Sequence, residues 1–364
     1  MSRRAVTHPP VGGSEAPMND GSANPFVAQR ELAEGRALAA LERGVVTVTG
    51  PDRLTWLDST VSQSVAALPP GVSAEALLLD PNGRIEHAMR VVDDGETTWL
   101  IVDSAEEAVA LAAWLDRMRF MSRVEVADRS ADFVVLGTTS STTGSGVVWT
   151  DPWGAGIQDG GWQYAAQAGH PAAEWSWTEE LVERDEAAGR GPVVPAAAAE
   201  ALRVAAWRPA FSREVDERSI PHELDWLRSA VHLAKGCYRG QETVAKVHNL
   251  GHPPRRLVFL HVDGSDHELP EHGDEVVLAG TDDVVGHVTS GANHYELGPI
   301  ALAVVKRSVD PAAPLEVLKP GPDASGEPAA RGARLAAAQE VVVPPDAGAT
   351  ADVPRIPRLG AVRR

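Results

Sequence analysis

The sequence predicts an α+β fold that ends in a small antiparallel β-barrel. In the first half, short strand-like stretches joined by hairpin turns alternate with amphipathic helical stretches. Antiparallel hairpins mixed with helices are typical of α+β proteins rather than of doubly wound sheets. After Gly251, four short strand-like stretches follow at regular spacing, separated by Gly, Asp and His, at 257–262, 275–278, 284–289 and 300–305. Such spacing is typical of a small barrel.

The elements of the first half follow from local patterns. Residues 27–41 carry apolar positions at helical spacing, and Asp80-Pro81-Asn82-Gly83 is a strong hairpin signal. Ser104 and Glu107 form a capping box, and the helix it begins would bury Val109, Leu111, Ala112, Leu115 and Met118. Strands are predicted at 45–48, 76–79, 84–92, 97–102, 123–127 and 132–137, and helices at 178–188, 196–206 and 241–250.

Composition sets the domain limits. At 364 residues the chain is long enough for two or three packed units. Both ends are rich in Gly, Pro, Ala and polar residues without periodicity, which predicts disordered tails. The predicted division is an N-terminal tail at 1–24, an α+β core at 25–250 with a break between two subdomains near 138–177, a barrel at 251–319, and a C-terminal tail at 320–364 that includes Val341, Val342 and Val343.

Charge and cysteine content limit the function classes. The net charge of −18 repels polyanions, so direct nucleic-acid binding is not expected, although a local basic cleft for a small anion stays open. No apolar run of about eighteen residues predicts a membrane span. The N-terminus lacks the apolar core of a signal peptide. The single cysteine, Cys237, excludes an internal disulfide and fits a reducing cytoplasm, where we expect the protein.

The richest motif is Lys235-Gly236-Cys237-Tyr238-Arg239-Gly240-Gln241-Glu242, a glycine-punctuated loop that leads into a helix. It places a thiol between two cations near a helix N-terminus, an arrangement that favours the reactive thiolate. The alternative is that Cys237 is an inert packing residue.

This motif resembles the signature of the YgfZ family of folate-binding proteins. Four other segments agree with that family: Ile220 to Glu223, Arg255 to Leu257, Gly286 to Ser290, and the hairpin from Leu79 to Ile85. The resemblance spans about residues 30–310. It implies a T-protein-like folate-binding core around a central cavity, which the C-terminal barrel closes, with tetrahydrofolate or a derivative as the ligand.

The resemblance also implies site residues and partners. Cys237 is the candidate catalytic residue, and the loop is expected to hold it beside the cavity. The folate-binding candidates are Arg84, Glu86, His87, Arg203, Glu223 and Tyr238. The implied function is an accessory role in assembly or repair of iron–sulfur clusters, with iron–sulfur enzymes or assembly proteins as partners and only an indirect effect on transfer-RNA modification.

Two departures argue against the aminomethyltransferase activity of the wider superfamily. The transferase has paired aspartates on its hairpin, where this chain has Glu86 and His87. The pterin-contacting glutamate of the transferase is missing from the segment 203–207. A folate-dependent transferase that relies on Glu86, and a non-catalytic scaffold with an empty cavity, are the alternative functions.

Other clusters have two readings each. The histidines lack the cysteine or carboxylate partners of a zinc site, so no metal site is predicted. The tryptophans between Trp149 and Trp177 are either a stacking wall for a pterin or core residues. Lys246, His248, Arg255 and Arg256 form either a basic rim for an anion or a solvated face.

Overall fold

The computed structural model describes residues 24–140, 146–187, 189–265, 267–322 and 328–351. The helices and strands follow one another along the chain in the order α1 (Pro25–Ala33), β1 (Leu38–Leu41), β2 (Gly44–Thr49), α2 (Arg53–Asp58), β3 (Ser73–Leu79), β4 (Ile85–Asp93), β5 (Thr97–Val102), α3 (Ala105–Met118), β6 (Glu125–Asp128), β7 (Phe133–Thr138), β8 (Val147–Thr150), β9 (Thr178–Glu183), β10 (Val193–Val194), α4 (Ala196–Ala205), α5 (Phe211–Glu214), α6 (Leu227–Ala230), α7 (Gln241–Leu250), β11 (Arg255–Val262), β12 (Glu275–Leu278), β13 (Val284–His294), β14 (Gly298–Lys306), β15 (Leu315–Pro322) and β16 (Pro328–Val341).

The first sheet has the strand order β3-β4-β5-β2-β6, and α2 and α3 supply apolar side chains to the core on one of its faces. The predicted hairpin turn joins β3 to β4. The Oδ1 atom of Asp80 accepts hydrogen bonds from the backbone N–H groups of Asn82 (2.7 Å) and Arg84 (2.8 Å). Gly83 follows with φ of +77°. An Asp-initiated turn with a glycine in the left-handed region matches the hairpin chemistry that the sequence indicated.

Helix α3 begins as its capping pattern predicts. The Ser104 hydroxyl accepts the N–H of Glu107 (3.2 Å), and the Glu107 carboxylate accepts the N–H of Asp103 (3.0 Å). The buried stripe was only partly right, because Val109 and Met118 are exposed. Ala108, Leu111 and Leu115 form the buried stripe instead, at spacings of three and four residues.

The second sheet has the order β10-β1-β7-β9-β8. Three predictions fail here. The chain passes from the first sheet to the second near 129–132, between β6 and β7, rather than near 138–177. Helix α1 ends at Ala33, and the rest of the predicted helix 27–41 includes strand β1. The predicted helix 178–188 begins with strand β9, because pairing with β7 and β8 overrides the helical propensity of its glutamates.

The barrel is larger than the sequence indicated. Its six strands close in the order β11-β14-β13-β12-β15-β16. The predicted tail at 320–364 is therefore wrong for the described residues up to 351: β16 pairs with both β15 and β11, and Val342 and Val343 are fully buried. Without these strands β11 and β12 would each have an unpaired edge, which closure removes.

The ends of the chain lie largely outside the described residues, namely 1–23 and 352–364. Asn24, at the edge of the predicted N-terminal tail, caps α1, because its side chain accepts the N–H of Phe26 (3.0 Å). Within the described ranges, no helix combines the length and the hydropathy that crossing a membrane requires.

Candidate functional site

A cavity of about 380 Å³ lies between the two sheets. Its walls come from both sheets, from α4 and from the segment 208–213. Ligand pockets commonly measure about 300–1,000 Å³, so a small organic molecule fits this volume. Its charged lining residues are Glu42, Arg43, Arg90, Asp103, Asp151, Glu179, Glu200, Arg203, Arg208 and Arg213.

One group of ion pairs joins the two sheets across the cavity. Arg43 donates to Asp103 (2.8 Å) and to Glu179 (2.8 Å), and Arg90 lies 3.0 Å and 3.1 Å from the same two carboxylates. Burial alone would raise the pKa of Asp103, but the two guanidinium groups hold that pKa well below its usual range. Both carboxylates are therefore ionised and already paired.

A second group connects the cavity to the barrel. Arg203 donates to Glu200 (2.7 Å), to Glu214 (2.9 Å) and to the hydroxyl of Ser290 in β13 (2.6 Å). Glu214 also accepts hydrogen bonds from the hydroxyls of Thr289 (3.0 Å) and Ser290 (2.5 Å). The Thr-Ser pair of the predicted Gly286–Ser290 motif thus holds the barrel against the cavity wall.

Three charged side chains in the lining remain accessible, and one of them, Glu42, is exposed. The Glu200 side chain is 29% exposed, and the Arg213 side chain is 51% exposed. Opposite charges at a cavity edge can bind a ligand that carries both hydrogen-bond donors and a carboxylate. The remaining carboxylates of the lining with defined partners, Asp103, Asp151 and Glu179, are buried in ion pairs.

Two of the tryptophans line the cavity. Trp175 and Trp177 stack with ring centroids 5.3 Å apart and an interplanar angle of 17°. Trp149 and Trp153 are fully buried in the core, and Trp162 is exposed. The cluster is therefore mainly a core feature, with one stacked pair at the cavity wall.

The signature loop packs on the hairpin of the first sheet. Gly240 has φ of +84°, and a Cβ atom there would lie 2.6 Å from the carbonyl oxygen of Asp80. The Lys235 ammonium donates to the carbonyl oxygens of Asp58 (2.6 Å), Val61 (2.9 Å) and Gln63 (2.6 Å). Gln241 donates to the Lys235 carbonyl oxygen (3.2 Å) and closes the loop. Glu242 is exposed on the first turn of α7.

The thiol of Cys237 lies on the surface rather than in the cavity lining. Its two neighbouring cations contact other groups. Lys235 is held by the carbonyl oxygens described above, and Arg239 forms an ion pair with Glu86. The expectation of a sulfur beside the cavity is therefore not met: Lys235 anchors the loop to residues 58–63, and Cys237 is not among the residues that line the cavity.

Of the six predicted folate-binding residues, only Arg203 lines the cavity. Arg84 is exposed after the hairpin turn, and Glu86 is half-buried in its pair with Arg239. The Nδ1 atom of His87 lies 3.5 Å from Glu107, and its ring stacks with Phe211.

Glu223 and Tyr238 are buried away from the cavity lining. Glu223 lies 2.8 Å from Arg255 and accepts the N–H of Ile220, so it fastens the core to the first barrel strand. Burial raises the pKa of the Tyr238 hydroxyl. The basic rim considered for Lys246, His248, Arg255 and Arg256 does not form. Arg255 is paired with Asp216 and Glu223, and Arg256 is fully buried.

Sequence reasoning missed most of the charged lining. Arg90 was visible as a cation between the apolar pairs Ala88-Met89 and Val91-Val92, which is a signal for a buried, paired charge. Glu179 was hidden by the incorrect helix prediction. The partners Arg43 and Glu179 are 136 residues apart, so no local pattern connects them.

Replacement of Gly240 by alanine tests the loop anchor. The strained φ and the clash with the Asp80 carbonyl are expected to lower the free energy of unfolding by about 3 kcal/mol. Chemical denaturation measures the change. Gly236→Ala is the matched control, because a Cβ there meets nothing within 4 Å. A loss at Gly240 no larger than at Gly236 would show that the anchor is unimportant.

The barrel and most of the chain are similar to known proteins. Residues 255–332 match the glycine cleavage T-protein C-terminal barrel domain. The chain is 25% identical over 313 residues to the mitochondrial iron–sulfur cluster assembly factor IBA57 homologue of Mycosarcoma maydis, with 74% of each protein covered. It is 26% identical over 294 residues to an aminomethyltransferase of Geobacillus kaustophilus, covering 73% of this chain and 78% of the relative.

A solved structure shows the same fold. The glycine cleavage system aminomethyltransferase T from Bartonella henselae aligns with a TM-score of 0.62 at 18% identity, covering 86% of this chain and 87% of that one. Together with the barrel match, this alignment shows a T-protein-like α+β fold that ends in a closed six-stranded antiparallel barrel.

Proposed function

We propose that this protein binds a reduced folate in the central cavity and acts as an accessory factor for iron–sulfur cluster assembly or repair, as a YgfZ-type protein of the cytoplasm. The observation that carries the folate part is the cavity between the two sheets, with a stacked tryptophan pair and accessible side chains of both charges. The likeness to an iron–sulfur cluster assembly factor supports the second part. Any effect on transfer-RNA modification is then indirect.

The residues present fit such a ligand. A pterin ring offers several N–H donors, and the accessible Glu200 carboxylate is an acceptor in the lining. The Arg203 guanidinium keeps Glu200 ionised: burial raises the pKa of this carboxyl, and the ion pair lowers it below its usual value. Arg213 offers a guanidinium to an anionic glutamate tail. These groups replace the carboxylate that the segment 203–207 lacks.

Calorimetric titration with tetrahydrofolate tests the ligand. We expect Glu200→Gln to weaken binding by about tenfold or more, because a hydrogen bond to a charged group contributes about 1.5–3 kcal/mol. Glu242→Gln is the control, since Glu242 is an exposed carboxylate outside the cavity lining. Absence of binding by the wild-type chain at millimolar ligand would leave only the scaffold alternative.

The iron–sulfur part is tested separately in a strain that lacks the gene. We expect the wild-type chain to restore iron–sulfur enzyme activity and Cys237→Ala to lose most of that restoration, because Cys237 is the one thiol in the chain and it is exposed. Ser64→Ala replaces a polar residue outside the signature and is expected to behave as wild type. Full restoration by Cys237→Ala would remove any chemical role for this thiol.

A folate-dependent transferase is the second candidate. The likeness to an aminomethyltransferase favours it. Glu86, the carboxylate first considered for this role, is paired with Arg239 outside the cavity lining, so Glu200 would have to serve instead. Transfer of a methylene group from an aminomethyl-lipoyl carrier by the purified protein would favour this candidate, and its absence would exclude it.

A further inference from the structure

An exposed apolar surface follows helix α3. Phe120 and Met121 are each 92% exposed, and Met118 is also exposed. We call these three residues the apolar tip. Single exposed apolar residues are common on soluble proteins, but three large ones within four positions mark a contact surface. Their chemistry fits that role, because aromatic residues, methionine and arginine are enriched at protein interfaces.

The backbone holds the tip in a fixed position. Phe120 has φ of +50°, a conformation that costs free energy for any residue with a large side chain. The Trp56 indole donates to the Met118 carbonyl oxygen (3.4 Å), and the N–H of Arg123 donates to Asp52 (2.8 Å). The N–H of Ser122 donates to the Arg119 carbonyl oxygen (2.8 Å). The chain is therefore tied on both sides of a side chain that packs against almost nothing.

The tip is locally cationic in an acidic protein. Residues 117–123 contain three arginines and no acidic residue, whereas the whole chain carries −18. Arg119 and Arg123 form exposed ion pairs with Asp116 (3.2 Å) and Asp52 (2.7 Å). Arg117 is exposed and makes no ion pair with a residue that the structure describes. Exposed pairs exchange readily with other carboxylates, because each contributes little.

The tip is connected to the signature loop. Trp114 lies one helical turn before Met118, so both occupy the same side of α3. The Arg239 guanidinium lies over the Trp114 ring, 5.5 Å from its centroid. Arg239 is two residues from the exposed Cys237. A protein that covers the tip would therefore reach the loop that carries the thiol.

We propose that the apolar tip docks a partner protein whose contact surface is an apolar pocket rimmed by carboxylates. Charge complementarity identifies this partner, since the arginines surround the apolar side chains. An extended anionic membrane would also face the acidic remainder of the chain and be repelled by it. A compact pocket contacts only the tip and avoids this repulsion. A second copy would make a head-to-tail contact that leaves further tips free and builds open chains.

Photo-crosslinking of the full chain in its own cells tests the docking. With p-benzoylphenylalanine at position 120, we expect one dominant adduct with another protein, attached beside carboxylates of that protein. The adduct should fall at least fivefold when Arg117→Glu and Arg119→Glu are added. Position 109 is the control, because Val109 is an exposed apolar residue on the same helix outside the tip.

Three outcomes would overturn the proposal. An adduct between two copies of the chain would identify self-association instead. An adduct with lipid, or no adduct at all, would show that the tip does not bind a partner protein. An adduct that survives the charge reversal would contradict the acidic pocket. These results do not depend on whether the cavity binds folate.

Phe120→Gly separates docking from folding, in an experiment that rests on the proposed function. Glycine relieves the positive φ, so the melting temperature should stay the same or rise, while restoration of iron–sulfur enzyme activity in the deletion strain is lost. Val109→Ser should restore activity fully. Restoration by Phe120→Gly, or a melting temperature lowered by several degrees, would overturn the docking role. If the wild-type chain itself restores nothing, the proposed function fails and the crosslinking alone decides the docking.

Discussion

Replacement of Arg203 by methionine is expected to lower the free energy of unfolding by about 3–5 kcal/mol, the range for breaking one side of a buried ion pair. Arg203 is the partner of Glu214, whose side chain is fully buried. Removing the cation leaves that carboxylate with only the hydroxyls of Thr289 and Ser290 and the N–H of Ala210. An uncompensated buried charge costs more than the lost contact itself.

Chemical denaturation measures this loss of unfolding free energy, provided that the variant is fully folded without denaturant. Ser290→Ala is the matched control, because it removes hydrogen bonds to Arg203 and Glu214 but no charge, and a smaller loss of about 1.5–3 kcal/mol is expected for it. We also expect Arg203→Met to loosen the barrel from the core, seen as protease cleavage between α7 and β11. Equal losses for the two variants would mean that Arg203 and Glu214 are not a charged pair in solution.

The second large effect concerns Asp225, which precedes α6 in the left-handed region at φ of 55°. Its Oδ1 atom accepts the N–H of Tyr164 (2.7 Å), whereas Oδ2 is buried without a partner in the described part of the chain. Burial raises the pKa of this carboxyl to about 7, against opposing contributions from the Tyr164 N–H and from Arg228.

The sign of the pH dependence follows from proton binding. An unfolded aspartate has a pKa of about 3.9, so between about pH 4 and pH 7 the folded protein binds one more proton at this site. The contribution of Asp225 to the free energy of unfolding therefore falls as the pH rises through that window. The folded and unfolded pKa values of Asp225 differ by about three units, which corresponds to a loss of about 4 kcal/mol in free energy of unfolding across the window.

Asp225→Asn removes this decline, since an amide does not titrate and asparagine tolerates the left-handed region. From pH 4 to pH 8 the variant should therefore gain up to about 4 kcal/mol in free energy of unfolding relative to the wild type. Asp216→Asn is the control and should show almost no change from pH 4 to pH 8, because Arg255 holds the pKa of Asp216 below its usual value and the stabilisation from this ion pair is lost only below about pH 4. A pH-independent difference for Asp225→Asn would refute the raised pKa.

Local patterns predicted much of this protein. The cap of α3, the hairpin turn from Asp80 to Gly83, strand β5, helix α7 and four of the six barrel strands all follow from residues close together in sequence. The signature from Lys235 to Glu242 pointed to the T-protein-like fold. These signals succeed because capping, turn formation and strand alternation are decided within a few residues.

The tertiary structure alone decided the site. Arg208 meets Glu75 across 133 residues, and Arg43 meets Glu179 across 136, so the charged lining exists only once the two sheets face each other. The same long-range pairing turned the helix-like segment 178–183 into strand β9 and the alanine-rich segment 328–341 into the strand that closes the barrel. The sequence by itself determined the turns, caps and signature loop, because their free energies are local. The cavity, its ion pairs and the surface position of Cys237 depend on which strands pair, and that is settled by burial of the whole chain.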